Sequence, residues 1–210
     1  MISNNSVILV TLSLVVIAIS ITVHEFMHGF VSNFLGDDTA KQSGRLTLNP
    51  LKHIDPFTTV LLPVILVLMG LPPFGAAKPV PFNPFKLKYD EFGAALVGLA
   101  GPLSNLVLAV AGGVLLRITG TLNSDLWVTF WWLFVAINSG FCLFNMIPFP
   151  PLDGSRVLYA FAPRALQRVM IQIESLGFFA IVIFILVFFP LLSPILQSLD
   201  NHLIGLVIGK

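Results

Sequence analysis

The sequence predicts an all-α polytopic membrane protein, with about four transmembrane helices, a re-entrant segment and a small membrane-associated β-hairpin or sheet. Three observations predict it. Of 210 residues, 56% are hydrophobic and only 10% charged, with a mean hydropathy of +0.94, whereas about a quarter of a soluble domain is charged. Apolar stretches recur at Val7–Leu35, Phe57–Leu71, Phe92–Leu116, Leu126–Ile147 and Ile173–Leu192. All but Phe57–Leu71 reach the roughly 20 helical residues that a bilayer core of about 30 Å requires. The 15 Pro and 16 Gly suit membrane helices that are repeatedly turned or broken.

The first stretch, Val7–Leu35, has neither a basic segment before it nor a small-residue cleavage site after it, so it reads as a retained membrane helix. The second, Phe57–Leu71, is short and carries Pro63 in its middle, which disrupts a helix and favours a segment that dips in and returns. Charge supports that reading. With Phe57–Leu71 re-entrant, Lys41, Arg45, Lys52, Lys78, Lys86, Lys88, Arg156, Arg164 and Arg168 share one side, against Arg117 and Lys210 on the other. The positive-inside rule makes the basic side cytoplasmic and the N-terminus external. Residues 1–210 read as a single integral-membrane domain, with a core of about 7–170 and a C-terminal membrane helix at about 173–192.

A net charge of +1 leaves no polybasic patch, so there is no electrostatic basis for nucleic-acid binding. The single cysteine, Cys142, excludes an intrachain disulfide and reads as a small packed hydrophobe. Any metal must therefore be held by His, Asp or Glu.

Such residues stand near the end of the first apolar stretch, in His24-Glu25-Phe26-Met27-His28. At about 100° per residue, His24 and His28 project from one helix face and can reach one zinc ion, with Glu25 beside them to take a proton from water. Two His and a Glu in an apolar helix are costly and mark function. A third ligand has to come from elsewhere, because an extended motif would need Gly at position 31 and His at position 34, where Val31 and Phe34 stand. The acidic candidates are Asp37, Asp38, Asp55, Asp90, Glu91, Asp125 and Asp153. Asp37 and Asp38 follow Gly36 and read as solvated turn charges. Asp153 lies in Asn145-Met-Ile-Pro-Phe-Pro-Pro-Leu-Asp153-Gly154, where prolines deny a regular helix just past the fourth apolar stretch.

His24–His28 together with Asn145–Gly154 resembles the paired motifs of the site-2 proteases, intramembrane zinc metalloproteases. Gly101-Pro102-Leu103-Ser104-Asn105 is similar to a further stretch of many relatives. The resemblance spans roughly residues 7–170, and it is to the compact members without a PDZ or CBS domain. It implies one zinc per chain, with His24, His28 and Asp153 as ligands and Glu25 as the catalytic base. It also implies a transmembrane protein as substrate and a role in regulated intramembrane proteolysis. The zinc would then lie near the cytoplasmic face of the plasma membrane, and Asp153 reaches that face only if an even number of crossings separates the two motifs.

Asn105, Asn138 and Asn145 are polar groups in apolar surroundings. Helix-to-helix hydrogen bonding is one role for them. The other, helped by the resemblance, is that Asn105 or Asn145 holds the substrate backbone or the oxyanion. The loop Gly44–Pro56 alternates Leu with polar residues and suggests a short strand, and Ala77–Pro84 suits an edge ribbon. In the family a small sheet is thought to pair with an unwound substrate. His53 and Asp55 read equally as partners of a ligand or as turn stabilisers. Two rival functions remain: a zinc transporter using the same ligands, disfavoured because no path of further intramembrane acids or histidines is evident, and an inactive helix-binding relative, disfavoured by Glu25.

Overall fold

A computed structural model describes residues 4–61, 78–119 and 125–209. Helix α1 (Asn4–Phe34) is a largely apolar run in which the hydroxyls of Thr11, Ser20 and Thr22 are satisfied within the helix. Ser20 donates to the Val16 carbonyl at 2.8 Å and Thr22 to that of Ala18 at 2.6 Å, which removes their cost in hydrocarbon. The helix stops at Gly36, whose φ of 109° is open to glycine at little cost. A short helix, α2 (Thr39–Gln42), follows.

Helix α3 (Asp90–Thr119) is the centre of the bundle, packed against α1, α4 (Asp125–Asn145) and α5 (Gly154–Phe161). Its buried face is built from Gly93, Ala94, Ala95, Gly98, Ala100, Gly101, Ala109, Gly112 and Gly113. Lipid tails are as apolar as leucine, so membrane helices associate by close approach and hydrogen bonding, and a small-residue face provides the approach. Cys142 is buried on α4, as a packed hydrophobe should be. After the amphipathic α6 (Arg164–Ser175), the chain turns at Gly177. It runs through α7 (Phe178–Ile183) and a wide turn at Phe184–Phe188 into α8 (Phe189–Ile208).

Among the described residues four helical segments are long and apolar enough to cross a membrane, at Ser6–Phe34, Asp90–Thr119, Asp125–Asn145 and Phe179–Ile208. The last differs from the expected 173–192. Residues 173–175 belong to α6, where Glu174 pairs with Arg156, and the span continues past Pro190 and Pro194 because Leu203–Ile208 resumes the apolar run.

Two ends of the bundle can be identified. At one, the Lys88 amide donates to the Leu35 carbonyl at 2.9 Å, bringing the start of α3 to the end of α1. At the other, Arg117 donates to the Leu206 carbonyl at 2.5 Å and Trp127 to Thr119 at 2.7 Å. The predicted re-entrant segment lies outside the described residues from 62 onward. Its flanks meet on one side, the Lys78 amide donating to the His53 carbonyl at 2.9 Å.

The expected β-hairpin is not found, since no strand occurs among the described residues. The reason lies in where the backbone groups go. Pro79 and Pro81 have no N–H, the amides of Val80 and Asn83 donate to the side chains of Glu25 and Asp37, and the carbonyls of Lys78 and Pro79 accept from Arg45. A strand so committed to side chains has no ladder to offer. Each loop instead carries an Asn-Pro cap, with Asn49 accepting from the Leu51 amide and Asn83 from that of Phe85, both at 3.1 Å.

Candidate metal centre

His24 and His28, one turn apart on α1, face α3 and the loop that ends in Asp153. Their Nε2 atoms lie 3.0 Å apart. Oδ2 of Asp153 is 3.1 Å from the first and 3.3 Å from the second. Each imidazole is fixed by its other nitrogen, His24 Nδ1 donating to Oδ1 of Asn105 at 2.6 Å and His28 Nδ1 to the Val97 carbonyl at 2.7 Å. Oxygen acceptors at both Nδ1 positions place the proton there and leave the Nε2 lone pairs pointing at one another.

That arrangement fits a metal ion on three counts. The donor set, two imidazole nitrogens and a carboxylate oxygen, is one that zinc takes. Oδ2 of Asp153 is buried with no hydrogen-bond donor, and three electron-rich atoms this close need a shared cation. The space is kept open by Gly101, where a β-carbon would fall 2.4 Å from His28 Nε2 and 2.6 Å from His24 Nε2. These three residues are the group among the described residues able to hold a metal.

Glu25 is half-buried beside the triad, and its Oε2 accepts from the Val80 amide at 2.9 Å. The Lys78–Asn83 ribbon therefore touches the candidate base directly. It is pinned by Arg45, which is buried and donates to the Lys78 carbonyl at 3.1 Å.

The other predicted residues divide. Asn105 is fully buried and reaches the centre, but its amide hydrogens go to Asn138 Oδ1 at 2.8 Å and the Ser20 carbonyl at 3.3 Å. It has no donor left for an oxyanion, and its Oδ1 accepts from His24 Nδ1. Asn145 ends α4 with Nδ2 donating to the Phe141 carbonyl at 3.0 Å. Asp37 is not a solvated turn charge, being fully buried and accepting from Ser32, both the amide and hydroxyl of Thr39, and the Asn83 amide. It ties the end of α1 to the ribbon. His53 is buried with Nε2 2.9 Å from the Thr47 carbonyl and stabilises its loop.

Gly101, Val97 and Val80 were missed. Each contributes a backbone atom or the lack of a side chain, which residue type does not signal, although Gly101 lies inside a stretch already singled out.

Neither a family model nor a solved structure matches the chain. Curated relatives do. The chain is 38% identical over 194 residues to "Putative zinc metalloprotease YwhC" of Bacillus subtilis, an alignment covering 89% of this chain and 84% of that protein. It is 31% identical over 173 residues to "Putative zinc metalloprotease Rip2" of Mycolicibacterium smegmatis, covering 80% of this chain and 63% of that protein. To the Rip2 of Mycobacterium tuberculosis strain H37Rv it is 31% identical over 188 residues, spanning 66% of that protein.

Proposed function

The chain belongs to the zinc metalloprotease family of YwhC and Rip2, and from that premise we propose that it is an intramembrane endopeptidase of the site-2 type. Its substrates would be membrane proteins cut within or beside a transmembrane segment, as in regulated intramembrane proteolysis. One observation carries this reading: the His24, His28 and Asp153 donors converge beside Glu25 on a helix long and apolar enough to cross a membrane.

Zinc held by His24, His28 and Asp153 supplies Lewis acidity, which lowers the pKa of water and polarises a carbonyl. The protein supplies the rest. With Oε2 of Glu25 tethered to the Val80 amide, Oε1 is left to take the proton of the attacking water and pass it to the leaving amine. Asn145 keeps an amide hydrogen and a carbonyl oxygen for the substrate backbone. A helical substrate hides its carbonyls, so an unwound stretch beside the Lys78–Asn83 ribbon is the form in which it is attacked.

Sixteen residues separate Gly101 from Arg117 on α3, about 24 Å along the axis. With Arg117 at one interface of a 30 Å core, the zinc centre lies close to the other. In this reading that face is the cytoplasmic side of the plasma membrane and the N-terminus lies outside, which the basic-residue distribution supports. A reporter fused at Gly75 is expected to be cytoplasmic.

Glu25→Gln tests the assignment. In proteoliposomes carrying a transmembrane substrate, the variant is expected to keep its zinc and lose cleavage. Undiminished proteolysis by that variant would overturn the reading.

A further inference from the structure

Three helices meet at a chain of hydrogen bonds that ends on a candidate zinc ligand. Asn138 of α4 donates from Nδ2 to the Phe134 carbonyl at 2.8 Å and accepts at Oδ1 from Asn105 Nδ2 at 2.8 Å. Asn105 of α3 also donates to the Ser20 carbonyl of α1 at 3.3 Å and accepts at Oδ1 from His24 Nδ1 at 2.6 Å. Asn105, Asn138 and Ser20 are fully buried, so water does not substitute for any link.

The polarity of this chain is not free. Phe134 and Ser20 contribute backbone carbonyls, which only accept. The Asn138 amide must turn its nitrogen to Phe134 and its oxygen to Asn105. Asn105 must then turn its nitrogen to Asn138 and Ser20, and its oxygen to His24. Flipping either amide sets donor against donor or acceptor against acceptor, in a buried site where an unmade bond is not replaced by water. Every link is satisfied only with a hydrogen on His24 Nδ1, which in the neutral ring leaves the lone pair on Nε2.

We propose that Asn138 is a positioning residue of the zinc centre, fixing the tautomer and ring orientation of His24 through Asn105. It touches neither the metal nor substrate. The proposal rests on His24 being a zinc ligand, and outer partners of ligating histidines commonly change metal affinity about 10- to 100-fold when removed.

The test is a double-mutant cycle on the full-length protein in detergent, read by zinc affinity from chelator competition and by the visible spectrum of the cobalt-substituted protein. Asn138→Leu keeps the volume and removes the relay, and is expected to weaken zinc binding about tenfold and to shift the cobalt bands. Asn105→Leu should weaken binding at least as much, and Asn105→Leu with Asn138→Leu no further than Asn105→Leu alone. Asn138→Ser, which keeps a bond to the Phe134 carbonyl but falls short of Asn105, should match Asn138→Leu and covers poor folding of the latter. Ring 15N shifts of His24 in the metal-free protein give a readout that needs no zinc, with a single Nδ1–H form in the wild type and a mixture in Asn138→Leu. Unchanged zinc affinity and ring shifts in Asn138→Leu, or losses that add in the double variant, overturn the relay. Failure of the wild type to bind zinc would sink the metal site itself, while the ring shifts still decide the relay.

Discussion

Gly101 faces Nε2 of His28 so closely that a β-carbon there would lie 2.4 Å from it. The neighbouring atoms are rigid ring nitrogens already committed at their far ends, so they cannot yield as a flexible side chain would. Gly101→Ala is therefore expected to weaken zinc binding by about 100-fold or more, beyond the usual effect of an outer-shell change. Metal content after gel filtration measures it, and a full complement of zinc in the variant would refute the packing argument.

The amide of Val80 holds one oxygen of Glu25, and Val80→Pro deletes that donor in a ribbon already shaped by Pro79 and Pro81. A hydrogen bond to a charged group contributes about 1.5–3 kcal/mol, so cleavage should slow about 10- to 100-fold while zinc content stays at the wild-type level. Steady-state cleavage of a transmembrane substrate, with zinc measured on the same preparation, separates loss of base positioning from loss of the metal.

The convergence of His24, His28 and Asp153 was legible because metal ligation demands particular side chains, two of them at a helical spacing. Val97, Val80 and Gly101 were not, since they serve through a carbonyl, an amide and an absent methyl. Asn138 could be read as a helix-to-helix bond, but its partner required three dimensions. For Asp37 the neighbouring Gly36 signals only a turn, whereas one of its donors is the amide of Asn83, 46 residues further on. The hairpin failed for a related reason: alternation and prolines describe an extended chain, and they do not say whether a strand or a set of side chains will satisfy its backbone. The four candidate membrane helices were plain from apolar length, and the last of them shifted at both ends, starting after Gly177 and running on to Ile208.

Asn145 and Asn105 should separate in their effects. With Asn105 spent on His24, Asn138 and Ser20, Asn145 is the residue left to support the oxyanion. Loss of such a donor typically costs about 10²–10³ in kcat. Asn145→Ala is expected to show that loss with normal zinc content, whereas Asn105→Ala should lose zinc affinity. The reverse pattern would exchange their roles.

Asp37 makes the stability of the site depend on pH in a stated direction. Burial pushes its carboxyl up, but the hydroxyl of Thr39, the amides of Asn83 and Thr39 and the hydroxyl of Ser32 outweigh burial and hold it below its ordinary value. A carboxylate whose pKa is lower folded than unfolded stabilises the fold above the unfolded value of about 3.9, and the contribution fades as pH falls through the folded value. Asp37→Asn turns an amide hydrogen toward those donors and should cost on the order of 3 kcal/mol at pH 7. Thermal melts of the two proteins should differ most at neutral pH and converge below about pH 4. A gap that stays constant down to pH 3 would mean that the buried group is not ionised in the folded protein.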